Sequence, residues 1–135
     1  MTVHMWYSKD HGKDGVTATN EDELREALAT FYTDEYYMDI VNIVGTVDGQ
    51  DFLLDIGAAN REGIAALRYA GHDVHYSKGE PTDYDVLEFA YYGTPHEFPT
   101  DAAVPWAKAV DAALAFLHRP DRLPDCVDWQ LKSES

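Results

Sequence analysis

Between residues 40 and 92 the sequence is built almost entirely from short stretches that alternate apolar and polar residues, separated by tight turns, and this pattern decides the fold class. Ile40 to Val47 reads as a strand and is followed by Asp48-Gly49, a strong two-residue hairpin signal. Asp51 to Ile56 is its partner, with Phe52, Leu54 and Ile56 sharing a face. Ala58 to Gly63 turns the chain into a strand over Ile64 to Ala70, and Gly71-His72-Asp73 turns it again into Val74 to Ser77. Lys78 to Tyr84 is a polar loop. Asp85 to Tyr92 is the next strand, with Leu87, Phe89 and Tyr91 on one face and Glu88, Ala90 and Tyr92 on the other, and Gly93-Thr94-Pro95 ends it. Connections this short allow only antiparallel neighbours.

Two helices flank the run. Asn20 is placed to cap the first, with Glu23 three residues on and Glu21 and Asp22 at the positive end of the helix dipole. Leu24, Ala27, Leu28 and Phe31 then make one apolar face, and Asp34 to Asp39 is a polar connection. The second helix is expected from about Ala102 to Leu117, with Val104, Trp106, Val110, Ala113, Leu114 and Leu117 at helical spacing. Pro120 and Pro124 stop it, and Val127, Trp129 and Leu131 alternate with Asp128 and Gln130 as a closing strand, Trp129 facing the core. At the N-terminus, Val3, Met5 and Tyr7 alternate as a first strand, and Asp10 to Val16 reads as a loop or turn. The expected architecture is α+β: a single twisted antiparallel sheet of about six or seven strands, with both helices packed on one face and the other face left to solvent or a partner. At 135 residues, without repeats or linkers, one domain over 1–135 is expected.

Charge restricts the function classes. Asp and Glu number 25 against 10 Lys and Arg, a formal net charge of -15. A phosphate backbone or an acidic membrane surface would be repelled, so neither nucleic acid nor membrane is an expected partner, whereas a basic protein would be attracted. The first residues show no basic start followed by an apolar stretch, and Cys126 is the only cysteine, which together favour a reduced, cytoplasmic protein.

No enzyme signature stands out. His72 and His75 are spaced like a metal pair, but on a strand that offset points them to opposite faces, and no further ligand is near. No metal or cofactor is expected. Cys126 sits beside a half-buried strand and reads as an inert small apolar side chain. The carboxylates lie mostly in turns and at helix starts, without the fixed, buried pairing that acid/base chemistry needs. A binding surface is the better reading for Glu80, Asp83, Asp85 and Glu88, interleaved with Tyr84 and Tyr92, because acids steer a partner and aromatics anchor it. A solvated face is the plain alternative for the same residues.

The C-terminal third carries a resemblance. Phe116-Leu117, Arg119-Pro120 and Cys126-Val127-Asp128-Trp129-Gln130 after an amphipathic helix resemble the signature of Imm1-type immunity proteins of bacterial polymorphic toxin systems, which are often linked to deaminase toxins. His118 stands where that family commonly has glycine, and Arg122-Leu123-Pro124 lengthens the gap. Asp51-Phe52-Leu53-Leu54, Tyr76-Ser77-Lys78-Gly79-Glu80-Pro81 and Phe89-Ala90-Tyr91-Tyr92-Gly93 with Phe98-Pro99 are similar to upstream parts of the same family. The resemblance implies a cytoplasmic protein without catalytic residues that blocks a cognate toxin by tight stoichiometric binding. A basic, nucleic-acid-acting toxin suits both the resemblance and the charge. The competing readings are a small hydrolase or transferase with unrecognised catalytic carboxylates, and an acidic adaptor module.

Overall fold

The computed structural model describes residues 2–8 and 11–131, with Asp34 described in its backbone alone. Asp10, where the sequence reading opens its first loop, lies outside the described residues. Among these residues the strands are β1 (Val3–Trp6), β2 (Val16–Ala18), β3 (Asp39–Val47), β4 (Gln50–Ala59), β5 (Ile64–Ala70), β6 (Val74–Lys78), β7 (Leu87–Tyr91), β8 (Thr94–Phe98), β9 (Val104–Pro105) and β10 (Asp128–Leu131). The helices are α1 (Glu21–Phe31) and α2 (Trp106–His118), with a short 3-10 turn at Asp34–Tyr36. The main sheet runs β10-β6-β5-β4-β3-β1-β2, and every pairing along it is antiparallel. The α+β class therefore holds, but the sheet has ten strands where six or seven were expected.

The additional strands have identifiable causes. β2 is only three residues long, too short to show a period. β8 contains Pro95, which argues against a strand unless that strand is an edge, as β8 is. β9 lies inside the segment expected to be helical. Pro105 sits at the N-cap of α2, and Val104, the residue before a proline, is held extended against Ala65 of β5. The helix consequently starts at Trp106, not Ala102.

Both hairpin turns that matter use left-handed backbone at two successive residues, the type I′ geometry that matches strand twist. Asp48 (φ 51°) and Gly49 (φ 80°) join β3 to β4, as expected. Tyr92 (φ 51°) and Gly93 (φ 82°) do the same for β7 and β8, so Tyr92 is a turn residue and not the last residue of a strand. The α1 cap also forms, with Asn20 accepting from the Glu23 amide at 2.9 Å. Glu23 reaches back one residue further than a standard capping box, accepting from both the amide and the hydroxyl of Thr19 at 2.7 Å.

Period-two alternation divides the buried residues between two cores. Val41, Ile43, Leu54, Ile56, Leu67 and Tyr69 face the helices, meeting Leu24, Leu28 and Phe31 of α1 and Ala113, Phe116 and Leu117 of α2. Trp129 packs at the margin of this core, its indole N–H donating to the Pro124 carbonyl at 2.7 Å. The second sheet face was expected to be open, and here the structure differs. The β7–β8 hairpin folds over one end of it, and Leu87, Phe89 and Phe98 close a second core with Ile40, Ala59, Ala66 and Ala102. Gly57 makes this possible, because any side chain there would overlap the Phe89 ring. The hairpin is tied to the sheet through Met38, whose carbonyl accepts from the Ala90 amide at 2.8 Å, and through a single parallel bridge between Asp39 and Ala90.

Candidate partner-binding surface

The acidic stretch singled out in the sequence occupies the loop before β7 and the outer side of the β7–β8 hairpin. The start of the loop is rigid. The backbone at Gly79 approaches Ala103 so closely that a side chain could not be accommodated, and the amides of Gly79, Glu80 and Thr82 donate to the carbonyls of Asp101, Ala103 and Thr100 at 2.7 to 2.9 Å. Lys78 adds an ion pair to Asp101 at 3.1 Å, and Gln130 donates to the same carboxylate. These hydrogen bonds from Gln130 and Lys78 hold the Asp101 carboxyl below its usual range. Glu80 thus has a fixed backbone and an exposed side chain.

Asp83 and Asp85 are exposed further along the loop, and Asp85 precedes the strand instead of opening it. Tyr84 does not join them. It turns inward and donates to Glu62 at 3.1 Å, beside Tyr37, whose hydroxyl donates to the same carboxylate oxygen. The Glu62 bond, reinforced by Tyr84, pushes the Tyr37 hydroxyl far above the usual tyrosine range. The Arg61 guanidinium lies 4.2 Å over the Tyr37 ring. Tyr84 is therefore a brace that ties the acidic loop to the β4–β5 turn, and it is partly buried against the second core.

Glu88 projects from the outer face of the hairpin, and Tyr92 sits at its tip, 42% exposed and stacked on Tyr91 with ring centroids 4.4 Å apart. Burial, together with Tyr92 alongside, pushes the Tyr91 hydroxyl up to about 12. A tyrosine in left-handed backbone costs on the order of 1 kcal/mol, comparable to what the stacking contributes. Among the six candidate residues, then, five are exposed and one is structural. Two neighbours escaped the sequence reading. Val86 is 48% exposed between the acids, and Glu97 of β8 stands directly opposite Glu88. The pairing of Glu97 could be seen only once Thr94–Phe98 was recognised as a strand.

Beneath the hairpin the uncovered part of the second sheet face forms a cleft of about 840 Å³. Asn42, Asp55, Arg68 and Tyr76 lie on its floor, with Pro95 to Pro99 along one side and Gln130 and Leu131 on the other. Burial raises the Asp55 carboxyl above its usual range, against the opposing pull of Asn42, Arg68 and His96. Asn42 donates to one of its oxygens and Arg68 to the other, at 3.1 Å, so both carboxylate oxygens are engaged. His72 lies against Phe52 in the β5–β6 turn, and His75 is on β6. No group of three or more His, Cys, Asp or Glu side chains able to hold a metal occurs among the described residues. Burial pushes the Cys126 thiol up, away from the reactive thiolate. No helix is long and apolar enough to cross a membrane among the described residues.

Comparison with known proteins returns one family. The family model described as Immunity protein Imm1 matches residues 12–131, which takes in the acidic loop, the hairpin and the cleft. No curated protein matches the chain.

Proposed function

The chain belongs to the Imm1 immunity protein family, and from that premise we propose that it neutralises a cognate bacterial toxin by forming a tight one-to-one complex. It acts in the cytoplasm, as one domain, and makes or breaks no bond itself. The observation that carries this reading is the family match across residues 12–131.

The toxin is an enzyme that modifies nucleic acid, with a deaminase first among the candidates. Such an enzyme must present a basic cleft to phosphates, and a protein of net charge -15 is drawn to that cleft and excludes substrate from it. The contacting surface is the exposed acidic set Glu80, Asp83, Asp85 and Glu88, with Tyr92 as the aromatic anchor at the hairpin tip. Tyr84 contributes by fixing the loop through Glu62. Support comes from the nearness of an exposed aromatic to carboxylates that make no ion pair among the described residues, so that both are available to a partner.

The test is co-expression with the toxin domain encoded in the neighbouring reading frame. Survival of the host, and loss of deamination of single-stranded DNA or RNA by the purified toxin when the chain is added, are the expected results. Tyr92→Gly should leave the melting temperature of the free chain nearly unchanged, because relief of backbone strain and loss of stacking are each about 1 kcal/mol. The same change should weaken toxin binding by about 2 kcal/mol if Tyr92 is an anchor. A toxin that remains fully active at a stoichiometric excess of the chain would end this reading.

A further inference from the structure

We propose that the cleft beside β8 receives an extended segment of the partner, which adds to the free edge of β8 as a further strand. This rests on the toxin-binding reading and specifies where and how the contact is made.

The turn and register decide which backbone groups β8 offers. Tyr91 and Thr94 close the type I′ turn and form a hydrogen-bonded pair, so the inward bonds of the hairpin fall at Tyr91–Thr94, Phe89–His96 and Leu87–Phe98. Ala90 confirms the alternation, since its amide points out of the hairpin to the Met38 carbonyl. On β8 the outward positions are therefore Pro95 and Glu97. Pro95 has no N–H to leave bare, and its position is the one a proline can occupy on an edge. Glu97 presents both its N–H and its C=O outward. β8 pairs with β7 alone, so these groups meet no strand of the described residues.

The edge lies beside a concave surface. It runs along the cleft, whose volume of about 840 Å³ falls in the roughly 300–1,000 Å³ range of protein ligand sites. The floor suits a backbone. Arg68 gives one N–H to Asp55, its guanidinium has further donors, and its side chain is 32% exposed. Carbonyls of an incoming segment can accept from those donors on one side while the segment pairs with Glu97 on the other. Gln130, in step with Tyr76 of β6, closes the cleft on the side opposite β8.

Charge selects the occupant. Glu88 and Glu97 face each other across the outer side of the hairpin, where like charges destabilise a strand pair, and neither has an ion pair or hydrogen bond among the described residues. A strand added beside β8 places one of its side chains next to Glu97 on that same side. A lysine or arginine there relieves the repulsion, so the segment is an extended stretch of the toxin with a basic residue facing outward and small polar residues facing the floor.

Amide hydrogen exchange on the complex with the toxin domain from the neighbouring reading frame tests this. The Glu97 amide should exchange quickly in the free chain and at least about tenfold more slowly in the complex, with the inward His96 amide protected in both. Glu88→Lys with Glu97→Lys should weaken binding by at least about tenfold while the free chain keeps its melting temperature. A complex that forms with Glu97 exchange unchanged overturns strand addition and leaves the toxin-binding reading standing. Absence of any complex overturns both.

Discussion

Tyrosines apart, Ser77 is the only buried polar side chain among the described residues, and both of its bonds join separate parts of the fold. Its hydroxyl accepts from the Leu67 amide at 2.9 Å and donates to the Ala102 carbonyl at 2.7 Å. Ser77→Ala would leave both backbone groups buried without partners, at about 1–3 kcal/mol each, so a loss of about 2–6 kcal/mol is expected by urea unfolding. Asp55 makes a prediction of opposite character. The native state holds its proton more tightly than the unfolded chain does, since burial raises its pKa. The stability attributable to it therefore falls as pH rises from the ordinary aspartate value through the raised native one. The stability of the wild type minus that of Asp55→Asn should decline with rising pH across that window, and a flat difference would contradict the shift. Asp101 runs the other way, because hydrogen bonds lower its pKa, and the stability it confers is lost as pH falls through the native value. None of these roles was legible in sequence. Ser77 and Asp55 stand in alternating strands like any other small or acidic residue, and only pairing across three segments defines what they touch. The bracing bond of Tyr84 was hidden for the same reason, since its partner Glu62 is 22 positions away.

At the level of elements, regular periods were readable and interruptions were not. The boundaries of α1 followed from its cap and apolar face, and β3, β4 and β5 followed from alternation and the Asp48-Gly49 turn. β8 was missed because Pro95 reads as a terminator until it is known to lie on an edge. The start of α2 was misplaced because the spacing of Val104 and Trp106 outweighed the proline between them. The placement of the hairpin over the second face depends on Gly57, whose significance is a missing side chain and so leaves no pattern. Gly57→Ala should force the Phe89 ring off the sheet. An overpacking cost of about 1–3 kcal/mol or more is expected in thermal unfolding, with the exchange protection of β7 and β8 falling more than that of β3 and β4. Equal loss of protection in all four strands would show that the second core has no independence.

For the whole molecule, charge is the dominant property, and it was available from composition alone. If the partner is the basic toxin proposed above, a net charge of -15 makes association strongly dependent on ionic strength. Raising salt from about 0.05 M to about 0.5 M is expected to slow association at least about tenfold in stopped-flow mixing, while dissociation changes far less. A rate indifferent to salt would mean that the surface acids take no part in encounter. The identity of the fold family was likewise legible, because Arg119-Pro120 and Val127-Asp128-Trp129 mark how the last strand returns to the sheet. What composition could not supply was the division of the interior into two cores. On the hairpin, Leu87, Phe89 and Phe98 fill the smaller one, while Glu88, Ala90, Pro95 and Glu97 have no part in it. Side chains at those outward positions can be exchanged at little cost to folding. The face offered to a partner can thus be recut by replacing a handful of side chains on one ribbon, with the helical half of the protein left intact.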